Sequence, residues 1–217
     1  QGFPAERSRT TEIGAKWELF DGDLSLRAAL YRAVKFWERN TDLESSGGLL
    51  SRKRHTDGVE LEAAGRITPK WEVFGGVALM DAVIDEAGYT LNTSTGAVTA
   101  HNPALVGMRP RNAPPYTFNL WSTYKLAGGW RVGAGVEGKG ERLAYGIGPG
   151  STAITPNVAP AYQRWDAMVA YEQPAWSVRL NVLNLFDTRY YESVYDNGGH
   201  VVPGTERAVQ VTTRFKF

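Results

Sequence analysis

Apolar and polar residues alternate along most of this chain. Ile13, Ala15, Trp17 and Leu19 interleave with Glu12, Gly14, Lys16 and Glu18. A period of two puts the two sets on opposite faces of a strand. The pattern predicts nine strands: Arg9–Phe20, Asp23–Trp37, Thr56–Ile67, Lys70–Ala82, Pro115–Leu126, Trp130–Arg142, Tyr162–Glu172, Ala175–Asn184 and Glu206–Phe217. No stretch carries a helical period of useful length. The expected class is all-β. In the last segment Val209, Val211, Thr213, Phe215 and Phe217 share one face, so the strand is expected to run to the end of the chain.

The connections sharpen the picture. Phe20–Asp23, Thr68–Lys70, Ala127–Gly129 and Gln173–Ala175 are short and carry Gly or Pro, which supply the backbone angles of tight turns. Glu38–His55, Val83–Pro114, Leu143–Ala161 and Leu185–Thr205 are long and polar or Gly-rich. Short and long alternate without exception. An antiparallel up-and-down meander with every long loop at one end gives that order, and transmembrane β-barrels of the outer-membrane type segregate their loops this way. Aromatic residues gather beside the short turns: Trp17, Phe20, Trp71, Tyr124, Trp130, Tyr171 and Trp176, with Phe215 and Phe217 at the same end. Such rings suit a bilayer interface. Opposite the apolar faces stand Glu60, Glu62, Arg131, Glu137, Arg164, Asp166 and Arg179, which fit a hydrated barrel interior or a plain solvent face.

Charge and composition exclude more than they assign. The net charge is +1 and the charges are spread along the chain, so no basic block marks a nucleic-acid partner. There is no cysteine, which removes disulfides and thiolate metal sites. No apolar run reaches the roughly 20 residues of a transmembrane helix, although a spanning strand needs only about 9–11. The chain starts at Gln1 without a signal-peptide pattern, so a cut N-terminus is expected.

Catalytic chemistry finds no support. His55, His101 and His200 have no i, i+4 partner, and each is expected in a loop or at a strand start. The glycines of YGIGPG (Tyr145–Gly150) lack the Lys-Ser/Thr and helix of a phosphate loop. DNGG (Asp196–Gly199) lacks the spaced acids of a calcium loop and reads as a turn. No cofactor and no metal site are predicted. On the residues alone, a transport receptor, a passive channel or anchoring barrel, and a soluble β-domain all remain.

Asn184-Leu185-Phe186-Asp187, Tyr190-Tyr191, and Gly204 with Arg207 opening a last strand that ends in Phe217 resemble the C-terminal end of TonB-dependent outer-membrane receptors. Thr11–Ala33, Asp57–Ala82 and Tyr162–Asp166 resemble the ferric-siderophore branch of that family. Glu206 departs from the Pro often found before the Arg. The resemblance implies a barrel of about 22 strands around a plug, of which residues 1–217 would be the C-terminal portion. Signal peptide, plug, TonB box and earlier strands would lie upstream. It also implies active uptake of a ferric siderophore, or of haem, vitamin B12 or a sugar, driven through the TonB complex in the bacterial outer membrane. Outer-membrane lipid and the barrel assembly machinery would be further partners, with Phe215 and Phe217 as the assembly signal.

An anionic, partly aromatic ligand calls for cations and flat aromatic side chains in the long loops. The candidates are Trp37 and Arg39, Tyr89 and Arg109, Arg142 and Tyr145, and Tyr191, Tyr195 and His200.

Overall fold

The computed structural model describes residues 4–39, 48–92, 94–100, 102–145, 157–194 and 200–216. In chain order the strands are β1 (Arg7–Leu19), β2 (Leu24–Arg39), β3 (Gly48–Thr68), β4 (Trp71–Leu91), β5 (Val98–Ala100), β6 (Tyr116–Lys125) and β7 (Trp130–Lys139). They continue with β8 (Arg142–Ala144), β9 (Asn157–Ala159), β10 (Tyr162–Glu172), β11 (Trp176–Leu183), β12 (Tyr191–Val194), β13 (Val201–Pro203) and β14 (Ala208–Phe215). One sheet runs β1-β2-β3-β4-β6-β7-β10-β11-β14, with β5 attached to β4. These are the nine expected strands, in sequence order, every neighbour antiparallel.

Register carries the alternation across the whole sheet. Ile13 faces Leu30, Leu30 faces Val59, Val59 faces Leu79 and Leu79 faces Tyr116. Further along, Leu120 faces Val136, Val136 faces Trp165 and Leu180 faces Val211. Directly opposed residues share a face, so one side of the sheet is a continuous apolar belt. That belt is open: Ile13 is 73% exposed and Leu79 53%. In water such a surface is an aggregation liability; in a bilayer it is the lipid contact. From Trp71 to Leu79 the outward residues of β4 cover nine positions, about 27 Å of strand at about 3.3 Å per residue.

The short turns close as their residues demand. Phe20, Asp21 and Gly22 all have positive φ, at 54°, 54° and 89°, and Asp23 N–H donates to the Phe20 carbonyl at 3.0 Å. Thr68 Oγ1 accepts from the N–H groups of Lys70 and Trp71 at 3.3 and 3.1 Å. Aromatic rings band this end: Trp130 meets Tyr171 at 4.9 Å, Tyr171 meets Trp176 at 5.7 Å, and Trp176 pairs with Phe215.

Two expectations change. β3 and β4 are 21 residues each, well past the predicted Thr56–Ile67 and Lys70–Ala82. Their ladder continues to Leu49↔Tyr89 and Gly48↔Thr90, because backbone pairing needs no apolar alternation once the strands leave the bilayer. His55 therefore sits inside β3, its Nδ1 2.8 Å from Asp85 Oδ1. The long connections also hold two small hairpins, β8–β9 and β12–β13. The last strand is assigned to Phe215; Phe217 lies outside the described residues.

Candidate functional site

The best-buried apolar side chains gather at the long-loop end. Ile84 of β4, Leu105 of the 3₁₀ turn Pro103–Leu105, and Tyr145 just after β8 form one cluster, flanked by Met108 and Leu143. Ala144, Ala159 and Val194 form a second. Water surrounds this end, so the loops must bury their own apolar groups.

Two asparagines tie the loops to each other and to the sheet. Asn112 Oδ1 accepts from Val194 N–H at 2.9 Å and its Nδ2 donates back to the Val194 carbonyl at 2.5 Å. Its backbone N–H donates to Leu143 O at 3.0 Å, so one residue joins three loops. Asn184 is 1% exposed. Its Nδ2 donates to the carbonyls of Thr188 and Thr205, both at 2.9 Å, and its Oδ1 accepts from Thr188 N–H at 2.8 Å. Its own N–H donates to Asp166 Oδ1 at 2.8 Å. Asp187 Oδ1 accepts from Arg207 N–H at 2.8 Å. Both Asn184 and Asp187 have positive φ, 51° and 54°, which Asn and Asp tolerate better than most residues.

The Asn-Leu-Phe-Asp stretch is thus a clasp. It joins the start and the end of the last long loop where the chain leaves β11 and enters β14. Tyr190 completes it. Its ring stacks on Tyr162 at 4.3 Å, and its hydroxyl accepts from Arg164 at 3.1 Å and from Thr205 N–H at 3.3 Å. A Cβ at Gly204 would lie 2.2 Å from the Tyr190 ring, so only glycine lets the returning chain pass.

The predicted ligand residues divide by exposure. Arg142 is 1% exposed. Its Nη1 donates to Gly140 O at 2.7 Å and Pro160 O at 3.3 Å, its Nη2 donates to Tyr191 O, and the guanidinium lies 5.3 Å from the Tyr162 ring. Burial pushes its pKa down against the opposing charges of Tyr162 and Glu192. Tyr145 is 1% exposed, and burial raises its phenol. These two side chains frame the loops from within. Arg109 reaches the Glu141 carbonyl at 3.2 Å and carboxylate at 3.3 Å. Arg39 and Tyr191 are exposed, and Tyr89 is half-buried in β4. Trp37 adopts φ 60°, a strained value for a bulky residue, and Arg52 lies over its ring at 5.3 Å. His200 is exposed; Tyr195 lies outside the described residues. The structure therefore brings Arg142 and Tyr191 together through a backbone contact, while Trp37 and Arg39 stand apart at the tip of β2.

Arg52, Asn112 and Glu192 were invisible to sequence reading. Glu192 takes Lys139 at 2.9 Å. Burial raises its carboxyl, but the Lys139 bond and charge, the Tyr162 hydroxyl and the Arg164 charge together hold it below the usual range.

Below the loops, the polar face forms a hollow of ≈ 540 Å³ whose lining includes Glu60, Glu62, Asn119, Glu137, Lys139 and Tyr162. Arg131 bridges Glu72 at 3.3 Å and Glu172 at 3.0 Å, and Arg164 bridges Glu137 at 3.3 Å and Asp166 at 3.1 Å. Among the described residues no group of three or more His, Asp or Glu is placed to hold a metal ion.

This wall, with its wet inner face and apolar outer face, matches known barrels. Residues 1–185 match the family described as TonB dependent receptor-like, beta-barrel. The chain belongs to the TonB-dependent receptor family. It is a family of transport receptors, and the wall is a segment of an outer-membrane barrel. The chain is 32% identical over its full length to the probable TonB-dependent receptor BfrD of Bordetella pertussis, covering 28% of that protein. It is 30% identical, over 99% of its length, to the catecholate siderophore receptor Fiu of Escherichia coli K12, covering 26% of it. The crystal structure of the siderophore receptor PiuA from Acinetobacter baumannii superposes with a TM-score of 0.77 at 28% identity, over 95% of this chain and 28% of that one. The chain thus spans about a quarter of the length of these relatives.

Proposed function

We propose that the receptor containing this chain takes up a ferric siderophore across the outer membrane with energy from the TonB complex, and that residues 1–217 are the C-terminal part of its barrel. The observation that carries this reading is the full-length match to receptors described as siderophore receptors, Fiu and PiuA among them. The architecture fits it: a hydrated lumen crossed by ion pairs opens beneath loops that are rigidly clasped to the wall. Trp37, Arg39, Tyr89, Arg109, Tyr191, Tyr195 and His200 supply contacts to an anionic, aromatic ligand, and Arg142 and Tyr145 hold the loops that present them.

The test is uptake of radiolabelled iron by a strain lacking the whole receptor, supplied with a panel of catecholate, hydroxamate and carboxylate siderophores. Loss of uptake for one class, restored by the gene but not in a strain lacking TonB, is the expected result. Unchanged uptake across the panel excludes the siderophore reading and turns attention to other scarce ligands.

The barrel assembly machinery is proposed as a second partner, reading the alternating end of β14. Deleting Phe217 is expected to lower the amount of heat-modifiable, folded receptor in the outer membrane while leaving ligand preference unchanged.

A further inference from the structure

We propose that Asn112 is a positioning residue for ligand capture: it fixes β12 in place before any ligand arrives. What β12 serves rests on the uptake reading above; how it is held rests on bonds within the chain. Three of the four residues of β12 are pinned, each from a different element. Tyr191 O accepts from Arg142 Nη2 of β8. The Glu192 carboxylate takes Lys139 of β7 at 2.9 Å. Val194 pairs through both of its backbone groups with the Asn112 side chain, at 2.9 and 2.5 Å.

The third pin reaches farthest. Lys139 and Arg142 are close neighbours in sequence, at the end of β7 and the start of β8. Asn112 comes from the connection between β5 and β6, which is itself fastened to β4. There Ile84 N–H donates to Met108 O and Gly107 N–H to Ile84 O, both at 2.9 Å. The Asn112 N–H donates to Leu143 O at 3.0 Å. One residue thus carries the positions of β4 and β8 to β12.

Two demands select asparagine at this position. Its φ is 53°, a left-handed value that Asn adopts with little strain. Its amide also offers an acceptor and a donor together, and both go to one residue. Oδ1 accepts the Val194 N–H and Nδ2 donates to the Val194 carbonyl, so the side chain stands in for one residue of a neighbouring strand. Val194 is buried against Ala144 and Ala159, where an unpaired backbone group is costly. A contact surface ordered in advance spares the ligand the cost of ordering it. Tyr191, among the proposed ligand contacts, rides on that surface. Losing the Asn112 bonds moves the ordering cost into the capture step. Affinity then falls, while transport of captured ligand keeps its rate.

The test uses the whole receptor and two variants. Asn112→Gly permits the left-handed backbone and removes both side-chain bonds. Asn112→Asp keeps the acceptor but sets a charge against the Val194 carbonyl. Without ligand, the β12 amides of the native receptor are expected to be protected from hydrogen exchange. In both variants they are expected to exchange about ten-fold faster, with β10 and β11 unchanged. Iron uptake is measured with a ferric tris-catecholate as probe. The half-saturating concentration is expected to rise about ten-fold in both variants, with the maximal rate within about two-fold of native. Saturating probe is expected to restore β12 protection in the variants and to add little in the native receptor. Asn92→Ala also removes two loop hydrogen bonds, those from Ser94 and Thr95 N–H at 3.0 and 3.1 Å, and is expected to change neither readout. Asn112→Ser serves where a variant fails the heat-mobility check for folding, with an expected effect of about three-fold. Native β12 amides that exchange, without ligand, as fast as the turn at residues 94–97 overturn the proposal. So does equal β12 exchange in native and variant receptors, or a lower maximal rate at an unchanged half-saturating concentration. A native receptor that takes up none of the probe counts against the catecholate form of the uptake reading, and exchange without ligand then decides alone whether Asn112 fixes β12.

Discussion

The wall and the loops of this chain solve the burial problem in opposite ways. Along the wall, large apolar residues such as Leu30, Leu61, Leu120 and Val211 stay open to the outside. At the loop end, Leu105, Tyr145 and Val194 are 2%, 1% and 2% exposed. Among the described residues the buried apolar clusters lie at the loop end and not in the wall, because lipid supplies the wall's apolar surroundings and its polar face lines the lumen. The loops stand in water and must fold over cores of their own, fastened by Asn112, Asn184 and Arg142. The lesson concerns solvent rather than sequence. Apolar residues make a core in one region and a lipid contact in the other.

The sharpest way to break this contrast is to remove one side chain from the loop core. Leu105→Ala is expected to cost about 2–5 kcal/mol locally, because Ile84 and Tyr145 cannot close the space from the ends of two different elements. Hydrogen exchange is expected to show lost protection in β8 and around residues 103–108, with the wall strands unchanged. Loss of protection spread evenly through β10 and β11 would mean that loops and wall fold as one unit.

The converse experiment loads the wall. Leu180→Arg is expected to destabilise the receptor in vesicles by about 2–4 kcal/mol near the midplane, read by urea titration. Asn181→Arg, one residue on and facing the lumen beside Gln210, is expected to cost well under half of that. Equal losses would contradict the facing assigned to every strand through the register.

A smaller effect belongs to the clasp. Asn184→Ala removes two donations and one acceptance and places alanine at φ 51°. About 1–3 kcal/mol is expected from the backbone groups left unpaired. Proteolysis between residues 188 and 205 is expected to quicken while the barrel remains folded.

How far the sequence foretold this structure follows from the same physics. The nine wall strands were legible because a bilayer on one side and water on the other impose a strict period of two. The upper halves of β3 and β4 were not, since beyond the bilayer the loops cover residues such as Ile84, Leu49 and Ser51 and no lipid face enforces alternation. Hairpins of three or four residues, β8 with β9 and β12 with β13, are too short to show any period. The loop candidates were chosen by residue type, and type does not report burial. Arg142 and Tyr145 look like ligand contacts in a string of letters, yet their surroundings arrive from Gly140, Pro160, Tyr191, Ile84 and Leu105. The Asn-Leu-Phe-Asp stretch was recognisable by resemblance, but its role emerged only from the bonds joining Asn184 to residues 4 and 21 positions away.

The mildest test of the contrast is acid. Glu192 on β12 ties the last loop to the wall through Lys139 at 2.9 Å, with the Tyr162 hydroxyl at 3.4 Å from both carboxylate oxygens. Its carboxyl is held below the ordinary value of 4.5, burial opposing the shift and the Lys139 bond and charge, with the Tyr162 hydroxyl and the Arg164 charge, overcoming it. A depressed carboxylate contributes stability that is fully present above its unfolded value and is lost as pH falls through the folded one. The contribution is therefore constant at neutral pH and fades only below about 4.5. Because the pair is partly exposed, the effect is modest. Exchange protection of β12 is expected to fall between pH 5 and 3, and Glu192→Gln is expected to remove that pH dependence while leaving β10 and β11 unaffected. A wall that loosened in step with the loop would show that the clasp, and not the bilayer, holds the last strands in place.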